Sequence, residues 1–109
     1  MFRDDRQLAR ACRALLASVR LARLWTTDGP TPEALALLEA NGGPLSSGER
    51  IMVLAAFALW NGSGELRLAE VVATLDRERM AALCSLLIAS REDAVDAWLA
   101  RHEVKPNAV

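Results

Sequence analysis

Ile51 to Trp60 is an unbroken run of apolar residues, and it constrains the fold more than any other part of the chain. Ser46-Ser47-Gly48-Glu49 stands just before it and reads as a capping box. In such a box the serine hydroxyl and the glutamate each satisfy an orphan N–H of a helix's first turn. The run therefore begins as a helix. Ile51, Met52, Val53, Leu54, Phe57, Leu59 and Trp60 then point in every direction around its axis. A helix apolar on all sides belongs at the centre of a fold or in an oligomer interface. Crossing a bilayer takes about 20 such residues, so this run is too short to span one.

Helical periodicity recurs on both sides of that run. Leu8, Cys12, Leu15, Leu16 and Val19 follow three- and four-residue steps, which predicts a first helix over about residues 4–25. Asp4 and Asp5 suit its positive end, and Thr26-Thr27-Asp28-Gly29-Pro30 breaks it. Thr31 with Pro32 opens a second helix with Leu35, Leu38 and Leu37 facing inward, and Asn41-Gly42-Gly43-Pro44 ends it. A fourth helix runs through Val71, Val72 and Leu75. Asp76 caps a fifth with Met80, Leu83, Cys84, Leu87 and Ile88 inward. Ser90-Arg91-Glu92-Asp93 reads as the cap of a sixth, which carries Val95, Trp98 and Leu99. No segment alternates β-branched residues between hairpin signals. The expected fold class is all-α: an irregular, orthogonal bundle of about six short helices. At 109 residues the chain fits one domain, expected over 1–103, with a flexible tail over 104–109 around Lys105-Pro106-Asn107.

One loop has a more specific pattern. Leu59 to Glu70 resembles the twelve-residue EF-hand calcium loop: Gly64 holds the sixth position, Leu66 the eighth and Glu70 the twelfth. The resemblance implies a helix-loop-helix with Asn61, Ser63 and Glu70 as the candidate metal ligands. The departures are in the charge. Leu59 replaces the first-position Asp, Asn61 and Ser63 are neutral, and Arg67 at the ninth position is positive. Calcium affinity follows ligand charge, so the loop reads as a turn held by its own hydrogen bonds, with no cofactor.

The formal net charge is -1, from 13 Lys and Arg against 14 Asp and Glu. A domain built for nucleic acid is normally basic, because phosphate neutralisation drives that binding. The first helix is the exception. Arg3, Arg6, Arg10, Arg13 and Arg20 follow steps of three, four and seven and so line one side of it. Guanidinium groups pair bidentately with carboxylates and phosphates. The face is read as solvated and partly paired with the chain's own acids, or as the contact for an acidic protein partner or a second copy.

Catalytic constellations are not evident. His102 is the one histidine, and Cys12 and Cys84 stand apart from it, both read as reduced core residues of a cytoplasmic protein. Trp25, Trp60 and Trp98 read as core or interface anchors. The charged start lacks a signal-peptide pattern. The expected function is non-catalytic: a small helical protein-interaction module acting through self-association, as a possible homodimer, or through an acidic partner. The alternatives are a metal-responsive helix-loop-helix built on Asn61, Ser63 and Glu70, and a nucleic-acid-binding regulator using the basic first helix.

Overall fold

The computed structural model describes residues 1–103. The tail expected over 104–109 lies outside the described residues. Six α-helices make up most of the described chain: α1 (Asp5–Ala17), α2 (Pro32–Glu39), α3 (Ser47–Asn61), α4 (Leu68–Thr74), α5 (Arg77–Arg91) and α6 (Val95–His102). None is long and apolar enough to cross a membrane.

The start signals act as their chemistry dictates. Asp4 accepts from the Gln7 N–H at 2.8 Å and caps α1, while Gln7 accepts in turn from the Arg3 N–H. Thr31 caps α2 with Pro32 in its first turn. Ser46 and Glu49 form the full reciprocal capping box on α3. Every residue from Ile51 to Phe57 is buried, as an all-round apolar helix requires. α1 is the main neighbour of α3 and also meets α5 and α6. Small residues make this close packing possible: Ala9, Ala11 and Cys12 on α1 and Ala55 and Ala56 on α3 are all buried. The Cys12 thiol donates to the Ala56 carbonyl at 3.5 Å, and burial pushes its pKa up to about 12.

Four expectations need correction. The first helix ends at Ala17, not near residue 25. Leu21 N–H reaches the Leu16 carbonyl and Arg20 N–H the Ala17 carbonyl, the bond pattern of a Schellman closure. Arg20 holds the left-handed position at φ 61°, where glycine is the usual residue. The strain of a side chain there is of order 1 kcal/mol. Arg20→Gly is therefore expected to stabilise the protein by about 0.5 kcal/mol after glycine's extra unfolded-state entropy, read as a higher denaturation midpoint in urea.

Second, a small antiparallel hairpin follows a 3-10 turn at Ala22–Leu24. β1 (Trp25–Thr26) pairs with β2 (Gly29–Pro30) in the register Trp25↔Pro30 and Thr26↔Gly29. The segment that breaks the first helix is thus an ordered turn, closed by Thr26 Oγ1 donating to the Gly29 carbonyl.

Third, α5 is rotated from its expected face. Leu83, Leu86 and Ala89 are buried, whereas Cys84, Leu87 and Ile88 are exposed. Apolar residues cover more than half of this helix's circumference, so two stripes fit the sequence. A hydrogen bond from Trp98 Nε1 to Ser85 Oγ, 2.9 Å, holds the rotation that is observed. Cys84 is consequently not a core residue. In α2, similarly, Ala34 is buried and Leu35 is exposed.

Fourth, α6 starts at Val95 after Ala94, with no side-chain cap. Ser90 and Arg91 belong to α5, and Asp93 turns the chain at φ 54°.

Candidate functional site

The arginines expected to form one face divide into three groups. Arg3 and Arg10 are tied to α6. Arg3 Nη1 donates to Asp96 Oδ2 at 2.9 Å, and Gln7 Nε2 bonds the other oxygen of Asp96. Arg10 makes a bidentate pair with Glu103, both contacts 2.7 Å. These bonds tie the start of α6, at Asp96, and its C-terminal end, at Glu103, to α1 and the residues just before it. Arg20 has left the line, because its helix has already closed. Arg6 and Arg13 remain on α1, and neither has an ion-pair partner among the described residues.

Arg13 opens onto a cleft of about 780 Å³ between α1, the hairpin and the end of α6. Arg10, Arg13 and Arg23 bring three guanidinium groups to its wall, and Glu103 is the one carboxylate there among the described residues. Arg23 also contacts Glu33 at 3.3 Å outside the cleft wall. Among the described residues, and counting both acids, the cleft has an excess positive charge carried by Arg13. The Arg10 hydrogen bond, helped by the charges of Arg10 and Arg13, holds the Glu103 carboxyl below its usual range.

Leu99 and Trp25 lie behind the cleft, each only 1% exposed, and the exposed lining beside the arginines is Thr26, Thr27 and Ala100. Trp25 is fully buried, edge-on to Phe57 at 4.9 Å and to Trp60 at 6.0 Å between ring centroids. Its Nε1 is a buried donor with no acceptor among the described residues. Buried polar groups are nearly always paired, so this donor is an exception in the core beside the cleft. Sequence reading missed Arg23 and Trp25 as site residues. Arg23 lies beyond the helix end, and an unpaired indole has no sequence signature.

The Glu103 shift carries a pH dependence. A carboxyl lowered in the folded state adds stability that is fully present above its unfolded value of 4.5 and is lost as the pH falls through the lower folded value. Both partners are about one-third exposed, so screening limits the effect to about 0.5 kcal/mol. Glu103→Gln is expected to cost that much at pH 7 and to flatten the fall in urea midpoint below pH 4.5.

The other candidates are dispersed. Asn61 accepts from the Ser63 N–H, and Glu70 accepts from Arg50 Nη2 at 2.9 Å. Gly62 and Gly64 take left-handed backbone between α3 and α4. No cluster of three or more His, Cys, Asp or Glu able to hold a metal occurs among the described residues. His102 stacks on Trp98 at 4.3 Å with Nδ1 against the Trp98 carbonyl, and Ser85 donates to the Ala82 carbonyl. No protein-family model, no curated protein and no solved structure matches this chain.

Proposed function

We propose that this protein is a non-catalytic binding module whose cleft takes an acidic segment of a protein partner. The observation that carries the reading is the union of Arg13, which has no counter-ion among the described residues, with the fully buried Trp25 behind it at one cleft. A guanidinium beside the methyl groups of Thr26, Thr27 and Ala100 suits an aspartate or glutamate flanked by apolar residues. One arginine in the cleft without an ion-pair partner among the described residues, and a net charge of -1, suit a carboxylate better than a phosphate backbone. The 59–70 segment serves in this reading as a structural turn, with Glu70 engaged by Arg50.

The test is fluorescence anisotropy with a labelled peptide rich in Glu and Leu. Wild type is expected to bind it. Arg13→Glu should weaken binding by at least about tenfold, equivalent to about 1.4 kcal/mol. Arg6→Glu makes the same charge change outside the cleft and should have little effect. Equal effects of the two substitutions would reduce the binding to unspecific attraction. Tighter binding of a duplex DNA oligonucleotide than of the peptide would replace the reading with a nucleic-acid one.

A further inference from the structure

We infer that Glu103 is a built-in competitor for the cleft: it holds Arg10 as a partner's carboxylate would, and an acidic segment displaces it to engage Arg10 and Arg13 together. The inference rests on the acidic-partner reading of the cleft and adds a regulation to it. Arg10 Nε and Nη2 donate to the two oxygens of Glu103, both at 2.7 Å. That is the paired, two-bond geometry in which a guanidinium takes any carboxylate. Both side chains line the cleft and both are about one-third exposed, so the pair is open to exchange from outside.

Glu103 also stands in the field of the second arginine. The Arg10 hydrogen bond leads in holding its carboxyl below the usual range, and the charge of Arg13 adds to it. One internal carboxylate thus acts on both cations. Arg10 and Arg13 are three residues apart on α1 and so lie on one side of it, about 5–6 Å apart at Cβ. A segment with two carboxylates one helical turn apart spans the same distance, and it has one more acid to offer than Glu103 does. The place of Glu103 in the chain lets it leave. Asp96, the other acid that ties α6 down, lies inside the first turn of that helix and is held twice, by Arg3 and by Gln7. Glu103 is the residue just after α6, with extended backbone at φ -69° and ψ 132°. Its N–H bonds the Leu99 carbonyl, so the backbone stays in place while the side chain turns away. An ion pair this exposed resists displacement by a factor of only about two to five.

Fluorescence anisotropy with the Glu- and Leu-rich peptide, two of its glutamates set one helical turn apart, tests the competition. Glu103→Gln keeps the size of the side chain and removes its charge. It should bind the peptide at least about threefold tighter than wild type, because the lost ion pair and the lost repulsion act in the same direction. Asp96→Asn removes an acid of the same helix that does not line the cleft, and should change affinity by less than about twofold. In nitrogen-15 spectra of wild type, saturating peptide should move the Arg10 Nε–H signal, since that proton changes its acceptor. Circular dichroism will verify that both variants are folded. A Glu103→Gln protein that binds no tighter than wild type, or an Arg10 Nε–H signal that stays in place, overturns the competition and leaves the acidic-partner reading standing. Equal tightening by Asp96→Asn also overturns it, by reducing the effect to general repulsion. A peptide bound by neither wild type nor Glu103→Gln removes that reading and the competition together.

Discussion

Replacing Trp98 by alanine is expected to cost about 4 kcal/mol, the range for emptying a fully buried tryptophan site. Trp98 does three things at once. It fills the space between α5 and α6, its Nε1 bonds Ser85 across that contact, and its ring supports His102. Removing it leaves a cavity in a region where α6 already depends on exposed or half-exposed pairs, Arg3–Asp96 and Arg10–Glu103. Domains of this size have about 5–15 kcal/mol in total, so Trp98→Ala should bring the protein near its unfolding threshold. At about 4–8 °C per kcal/mol, the melting temperature should fall by about 15–30 °C. Leu68→Ala is the matched control. Leu68 is 78% exposed, and its loss should stay within about 0.5 kcal/mol. A calorimetric scan of both proteins compares them directly. A Trp98→Ala shift no larger than that of Leu68→Ala would contradict the packing described here.

Gly29→Ala is the second large effect, and it acts through the backbone. Gly29 has φ 123°, which L side chains rarely adopt, and a Cβ there would stand 2.8 Å from Trp60 Cζ2. The indole is rigid and already packed edge-on against Trp25 at 6.0 Å. Backbone strain of about 1–3 kcal/mol adds to overpacking of about 1–3 kcal/mol, giving an expected loss of about 3 kcal/mol. Because the hairpin holds Trp25 behind the cleft, Trp fluorescence should change along with stability. Gly48→Ala is the comparison: nothing lies within 4 Å of a Cβ there, and its φ is not in the left-handed region. It should be neutral or stabilising, by up to about 1 kcal/mol. Urea titrations of the two variants give the difference.

The parts of the fold that were legible in the sequence are those set by local chemistry. α3 was legible because its cap and its apolar circumference leave a single placement. α2 was legible at its ends, where Thr31, Pro32 and the Asn41–Gly43 turn mark its limits. The end of α1 was not, because its closure uses Arg20 where a sequence reader looks for glycine. Val19, Leu21 and Leu24 continue the apolar pattern past it, but they are buried from a turn rather than from a helix. The face of α5 was not legible either, since Leu83 and Leu86 compete with Cys84, Leu87 and Ile88 for the core. The choice rests on the Trp98–Ser85 bond, which forms only in three dimensions. The site shows the same division. The spacing of Arg3, Arg10 and Arg13 was visible, but their fates depend on acids about 90 residues away on α6 and just beyond it. That return of the chain separates Arg3 and Arg10, which brace the fold, from Arg13, which lines the cleft with no ion-pair partner among the described residues.

The central claim is that an acidic segment binds in the cleft at Arg13, with Trp25 behind it. Nitrogen-15 NMR of the labelled protein, titrated with the Glu- and Leu-rich peptide, tests it most directly. The three tryptophan indole signals serve as separate reporters. The account predicts that the Trp25 indole and the Arg13 Nε–H shift together with the Leu99 and Ala100 amides. The Trp98 indole, bonded to Ser85, should stay in place. An unmoved Trp25 indole, with shifts gathered around Arg6 or with none at all, would contradict it.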